Sequence, residues 1–388
     1  MTGAAALREK SRVAGTPRAQ WDPWVLTSVA TLVGLGLIMV YSASISFAER
    51  TAGNSAYYFI RQLGAVGIGA VLMYLVMRTP LRLWERAGPY LLVLSLVLLV
   101  LVLIPGIGVT VNGSARWLRL GIVNLQPSEF VKLFVVIYVA GYFVRKQEEL
   151  HNFTQGVVIS GLVVSAVSIL LLQEPDLGAA VVISTTVLGM LFLAGVRFWH
   201  FGLIGLAAIA TVGLLTLIAP YRLERVIAFL DPWADPFDSG FQLVQALIAF
   251  GRGEWLGVGL GASVQKLYYL PAAHTDFLFA VTAEELGLLG VLSVIVLFAV
   301  LVARAFAISR RAQDMGLLYA ARLAQGIALL LGIQAAISMG VNMGVLPTKG
   351  LALPFLSYGG SSMLASLMAV GLLLMIERET RRHAWGVH

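Results

Sequence analysis

Long apolar runs, broken by short polar segments, make up most of the 388-residue chain. A helix crossing a bilayer needs roughly twenty mostly apolar residues. On that criterion the pattern predicts ten membrane helices, at 24–46, 58–77, 88–105, 127–145, 155–173, 177–196, 199–218, 278–306, 316–343 and 355–376. Only Gln173-Glu174-Pro175-Asp176 separates the fifth from the sixth. A proline there would remove a helical hydrogen bond and clash with the turn before it, so two helices are predicted rather than one. The connection 219–277 is the longest. It carries Tyr221-Arg222-Leu223-Glu224-Arg225, Asp231-Pro232-Trp233-Ala234-Asp235-Pro236 and an amphipathic stretch from Phe241 to Phe250. Loops of that length usually have a function. The apolar content of this one predicts a partly helical segment lying on the membrane surface.

Composition agrees. The chain is 59% hydrophobic and 12% charged, which excludes an ordinary soluble domain. The expected organisation is a disordered basic tail at 1–20, one all-α membrane domain at 21–377 with 219–277 as a large external loop, and a short tail at 378–388. The first apolar run is too long for a signal-peptide core and should remain as the first helix. The chain has no cysteine, so disulfides and thiolate metal sites are excluded. Its five histidines show no ligand spacing, so no metal site is predicted. The formal charge of +7 reflects basic cytoplasmic segments, and nothing resembles a nucleic-acid module. Most of the basic residues fall inside when both termini are cytoplasmic, which puts the 219–277 loop on the external face. Gly251, Gly253, Gly257, Gly259 and Gly261 read as tightly turned backbone, because no Gly-Lys-Ser/Thr follows to make a phosphate cradle.

Charged residues near apolar runs are the candidate chemistry, since desolvating them is costly. Asp276 stands immediately before the eighth helix, where it could cap the helix or serve a reaction. Glu129 and Lys132 are three apart and can pair on one helix face, either structurally or along a cavity. Glu284 falls on roughly the same helix face as Asp276, and Glu285 points away. Arg61, Glu174 and Asp176 lie at outer span ends, where the ordinary reading is an interfacial side chain. Lys349 sits in a loop constrained by Pro347, Gly350 and Pro354. With Arg116 and Arg222, the outer face therefore gathers a carboxylate among cations. That is what a reaction on a phosphate-bearing substrate needs.

Five blocks in one order resemble the SEDS family (shape, elongation, division and sporulation). They are Asn112-Gly113-Ser114-Ala115-Arg116-Trp117-Leu118 leading to Gln126-Pro127-Ser128-Glu129-Phe130; Gln173-Glu174-Pro175-Asp176-Leu177-Gly178; Ala273-His274-Thr275-Asp276-Phe277; Ala283-Glu284-Glu285-Leu286-Gly287; and Lys349-Gly350-Leu351-Ala352-Leu353-Pro354-Phe355-Leu356-Ser357-Tyr358-Gly359-Gly360-Ser361-Ser362. Thr348-Lys349-Gly350 and the basic extension before Trp21 resemble the division branch. The resemblance implies ten helices and an inverting peptidoglycan glycosyltransferase that polymerises lipid II at the division septum of the bacterial inner membrane. Asp276 matches the family's catalytic aspartate. Arg61, Arg116, Glu129, Lys132, Arg222, His274, Thr275, Glu284 and Lys349 are expected to line the substrate site. A divalent cation, Mg or Mn, could share the charge of the diphosphate. The partners implied are a class B penicillin-binding protein acting as septal transpeptidase and other divisome membrane proteins. The alternatives are a lipid II flippase, which would favour polar residues at the membrane midplane, and a non-catalytic divisome scaffold.

Overall fold

The computed structural model describes residues 21–384 apart from 112–113, 122, 151, 198, 203–204, 207–208, 211–212, 214–228, 239 and 349. Three helices come first among the described residues, α1 (Pro23–Ala52), α2 (Tyr57–Arg78) and α3 (Leu81–Leu103). A three-stranded antiparallel sheet follows, β1 (Gly108–Val111), β2 (Ser114–Leu120) and β3 (Val123–Leu125), in the order β1-β2-β3. Next come α4 (Pro127–Arg145), α5 (Ile159–Gln173) and α6 (Leu177–Leu193). The amphipathic α7 (Phe241–Gly253) precedes α8 (Leu278–Asp314), α9 (Leu318–Asn342) and α10 (Gly360–Ala384). Among the described residues, eight helices are long and apolar enough to cross a membrane, and α6 is a shorter apolar helix. The predicted span at 199–218 falls mostly outside the described residues.

Three predicted boundaries need correction. The third helix begins at Leu81, not near 88, and carries Pro89 within it. The last begins at Gly360, because Leu351–Phe355 is buried irregular chain, and it runs on to Ala384. The eighth helix is not continuous: Gly287 has φ 65° and ψ −163°, which breaks α8. Backbone freed inside a membrane domain must find partners. Here residues 254–259 supply them. Val258 and Gly259 N–H donate to the carbonyls of Glu284 and Glu285 at 2.9 and 3.1 Å. Leu288 and Leu289 N–H donate to Glu254 and Trp255 carbonyls at 2.9 and 3.2 Å. A Cβ at Gly287 would lie 2.3 Å from the nitrogen of Gly257, so the approach requires glycine on both sides.

Helix α4 is the hub of the core, with nearly every residue from Pro127 to Phe143 buried. Close packing uses glycine at the contacts. A Cβ at Gly371 of α10 would meet the Met73 carbonyl of α2 at 2.7 Å, and one at Gly36 of α1 would meet the Phe355 carbonyl at 2.5 Å. The result is a bundle with two distinct ends. One gathers the sheet, the α5–α6 turn, the chain before α8 and the 350–359 segment. The other gathers the start of α1 and the ends of α2, α8 and α10.

Candidate active site

The chain before α8 turns tightly, with Thr275 and Phe277 N–H both donating to the Ala272 carbonyl. Helix α8 has Phe277 at its N-cap, without a side-chain cap. Asn342 at the end of α9 takes over that role. Its Oδ1 accepts from Ala280 N–H at 3.1 Å, and its Nδ2 donates to the Asp276 carbonyl at 2.9 Å. Helix capping, one of the two roles open to Asp276 from its position, is thus filled by another residue. The Asp276 carboxylate is free to face the site.

Gly350 brings the 350–359 segment against it. A Cβ there would stand 3.1 Å from Asp276 Oδ2 and 3.9 Å from an Arg116 terminal nitrogen. Asp276 keeps some open surface yet lies deep among protein atoms. That burial pushes its pKa up to about 6, against the pull of Arg116 and with the help of Asp176 and Glu129. Arg116 projects from β2. Its Nε donates to the Glu174 carbonyl at 3.2 Å, and a terminal nitrogen donates to the Pro175 carbonyl. The guanidinium is therefore positioned by neutral carbonyls, and its charge remains available to a ligand.

Glu174 and Asp176 are buried, not interfacial as their position suggested. Asp176 caps α6 by accepting from Ala179 N–H at 3.1 Å and also accepts from Ser128 at 2.9 Å. Glu174 is fully buried with neither carboxyl oxygen hydrogen-bonded. Burial, with Asp176 nearby and only partly offset by Arg116, raises its pKa to about 8. It is mostly a neutral acid at pH 7. Glu129 and Lys132 form a buried pair at 2.8 Å, and Lys132 also donates to Gln334 Oε1 at 2.8 Å. Gln334 in turn donates to the Ala352 carbonyl, tying the pair to the segment that carries Gly350.

The remaining described candidates are engaged in other contacts. Burial lowers the His274 pKa to about 4, so its ring is neutral at pH 7 and offers no charge to a phosphate. It packs against Phe47, Tyr58 and Tyr358. Arg61 donates to the Tyr57 hydroxyl at 2.6 Å beside this aromatic group. Thr275 donates to the Ala272 carbonyl in its own turn. Glu284 faces the long loop, not the site. It accepts from Ser263 Oγ and the Val264 and Gln265 N–H groups, with Arg252 at 3.5 Å. Glu285 pairs with Lys266 at 2.8 Å and accepts from Ser42 of α1. Arg222 and Lys349 lie outside the described residues. The polar residues missed by sequence reasoning are Asn342, Gln334 and Gln62. Gln62 donates to the Ser357 carbonyl and accepts from Gly359 N–H. Buried amides within apolar runs were the available signal.

Fold and site together define an integral membrane protein with a carboxylate and an arginine converging at one end of a helical bundle. The FtsW/RodA/SpoVE cell cycle protein model matches residues 23–382, and the chain belongs to that family. It is 53% identical to the probable peptidoglycan glycosyltransferase FtsW of Nitrosococcus halophilus, over 95% of each chain. With the protein of the same description from Coxiella burnetii it shares 50%, over 93% of this chain and 97% of the relative. Among solved structures it resembles a chain from one titled for the coordination of polymerization and crosslinking by a peptidoglycan synthase complex. That match has TM-score 0.75 and 31% identity over 93% of this chain and 98% of the other. The rod shape determining protein RodA of Thermus thermophilus matches with TM-score 0.67 and 28% identity, over 92% and 97%.

Proposed function

We propose that this protein is a peptidoglycan glycosyltransferase that polymerises lipid II into β-1,4 glycan strands for the septal wall, with Asp276 as general base. The observation that carries the reading is the Asp276 carboxylate. Its own helix is capped by Asn342, its pKa is held at about 6, and it faces Arg116 across Gly350. A base with a pKa just below neutral is largely ionised at pH 7 yet still accepts a proton well.

In the reaction the acceptor sugar's 4-hydroxyl oxygen bonds to the donor's anomeric carbon. The bond from that carbon to the diphosphate breaks, and the polyprenyl diphosphate leaves with the electron pair. The hydroxyl proton passes to Asp276. One displacement inverts an α-linked donor to a β product. Arg116 would offset the charge growing on the diphosphate. Lys349, the neighbour of Gly350, and Arg222 are further candidates for that task. Glu129 and Lys132 would hold the 350–359 segment in place. Among the described residues, no group of three or more His, Asp or Glu side chains is placed to hold a metal ion. The described side chains therefore do not make a divalent-cation cage.

The relatives' names and the synthase-complex neighbour support a division role beside a class B penicillin-binding protein and other divisome proteins in the inner membrane. A ten-helix topology with both termini cytoplasmic and Asp276 external belongs to the same reading, and the excess of basic residues on the side of the termini supports it. The test is direct. Purified protein with its partner transpeptidase is given lipid II in detergent, and glycan chains are separated by gel. Long strands support the proposal. Their absence, with lipid II moving across sealed vesicles instead, would replace it with a flippase.

A further inference from the structure

At the end of the bundle away from Asp276, α2 and α10 finish side by side. Thr79 Oγ1 contacts Met375 Sδ at 3.8 Å, which places Arg78 next to the last turns of α10. Arg378 and Arg382 sit there one turn apart, and Arg382 and Arg78 both lie close enough to press like charge on Arg378, which Glu379 offsets in part. Basic residues collect on one side of most membrane proteins, so charge by itself marks only orientation. Three further features mark a site.

First, the Nε of Arg378 has no hydrogen-bond acceptor within the bundle, so part of the donor capacity of this guanidinium is unmet. Second, Arg78 lies over Tyr74, its guanidinium 4.8 Å from the centre of that ring. Third, Val71, Tyr74, Leu75 and Arg78 share one face of α2 at i, i+3, i+4 and i+7, and the first three are exposed by 60, 47 and 54%. An uncovered apolar stripe thus leads directly to the arginines. Trp84, which donates to Thr79 at 2.7 Å, stands beside them as an interfacial tryptophan would.

We infer that Arg78, Arg378 and Arg382 bind the phosphate headgroup of an anionic phospholipid whose acyl chains lie along the Val71–Leu75 stripe of α2. Both halves of the feature select the ligand. A free phosphate would satisfy the arginines and leave the stripe idle, and a zwitterionic lipid would cover the stripe while bringing its own cation to the arginines. The inference is independent of the chemistry at Asp276.

Full-length protein in neutral detergent, delipidated and then offered phosphatidylglycerol or phosphatidylcholine with identical chains, allows bound lipid to be counted by native mass spectrometry. Each basic residue near a membrane surface adds roughly 1 kcal/mol for anionic lipid, so retention should favour phosphatidylglycerol by at least about ten-fold. The exposed single variant Arg78→Gln should weaken that preference. Arg78→Gln with Arg378→Gln and Arg382→Gln should reduce it to the phosphatidylcholine level, whereas Arg310→Gln, on α8, should leave it intact. Excess glycerophosphoglycerol, the headgroup without chains, should not displace the lipid. Equal retention of the two lipids overturns the proposal. So does an equal loss in Arg310→Gln, undiminished preference in Arg78→Gln and the triple variant, or displacement by the soluble headgroup, which would make this a small-anion site.

Discussion

At the scale of single residues, burial sets the chemistry. Asp276 and Glu174 are both pushed up, but by different amounts, so near neutral pH one is mostly an anion and the other mostly an acid. A general base works only when deprotonated, so polymerisation rate should fall as pH drops through about 6. Arg116 pulls the Asp276 pKa down. Arg116→Gln should therefore move the acid limb of a pH–rate profile to higher pH as well as slowing turnover, and a limb that stays put would remove Arg116 from the site. Glu174 makes the opposite kind of prediction. Its folded pKa lies above its unfolded value, so the stability it confers is complete below about pH 4.5 and fades as pH rises through about 8. Glu174→Gln keeps the neutral shape. Thermal melts should show the variant gaining on the wild type from pH 6 to pH 8.5, and parallel curves would contradict a buried neutral acid. Sequence position drew attention to Asp276 because a carboxylate beside an apolar run is costly. The same position could not show that Asn342 relieves it of capping, since those two residues meet only in the folded bundle.

Among the elements, those defined by a continuous apolar run were legible and those defined by close approach were not. The spans at 24–46, 58–77, 127–145 and 316–343 correspond to α1, α2, α4 and α9. The break in α8 was hidden because the apolar run continues past it, and glycine within a membrane helix is unremarkable. The sheet was missed although Val109-Thr110-Val111-Asn112-Gly113 carries a hairpin signature, Asn-Gly after β-branched residues. Hydropathy gave that stretch no weight, yet it is the sheet that presents Arg116. Glu284 shows the converse error. Helical spacing put it on the Asp276 face, but the break at Gly287 brings residues 254–265 over it. Gly287→Ala should cost about 1–3 kcal/mol from backbone strain alone, with more from the 2.3 Å clash against Gly257. A melting temperature equal to wild type would mean that the break is not needed.

For the whole molecule, the two ends are built differently. The Asp276 end is held by buried amides and glycines around the Asp276 carboxylate and Arg116. The other end is closed by ion pairs. Asp22 at the start of α1 is fully buried and meets Arg304 of α8 at 3.0 Å, while Glu377 of α10 bonds Arg311 and Arg381 at 2.9 and 2.6 Å. Burial alone would raise the Asp22 pKa, but the Arg304 contact and the Trp24 and Val25 N–H groups outweigh it and the net shift is downward. The stability it adds is present at neutral pH and lost as pH falls below the ordinary carboxylate range. Arg304 is part-exposed, so Asp22→Ala should cost about 1–3 kcal/mol at pH 7, read as a lower melting temperature with activity at Asp276 unchanged. Ion pairs at one end and a carboxylate beside an arginine at the other suit an enzyme that acts on a lipid-linked substrate at one membrane surface. The measurement that bears most directly on this account is lipid II polymerisation by the complex with its transpeptidase, wild type against Asp276→Asn at matched membrane expression and partner binding. A positioned general base contributes on the order of 100-fold or more, so the variant should make essentially no strands while still binding lipid II. Strands of normal length at normal rate from Asp276→Asn would show that the proton goes elsewhere and that Asp276 is not the base.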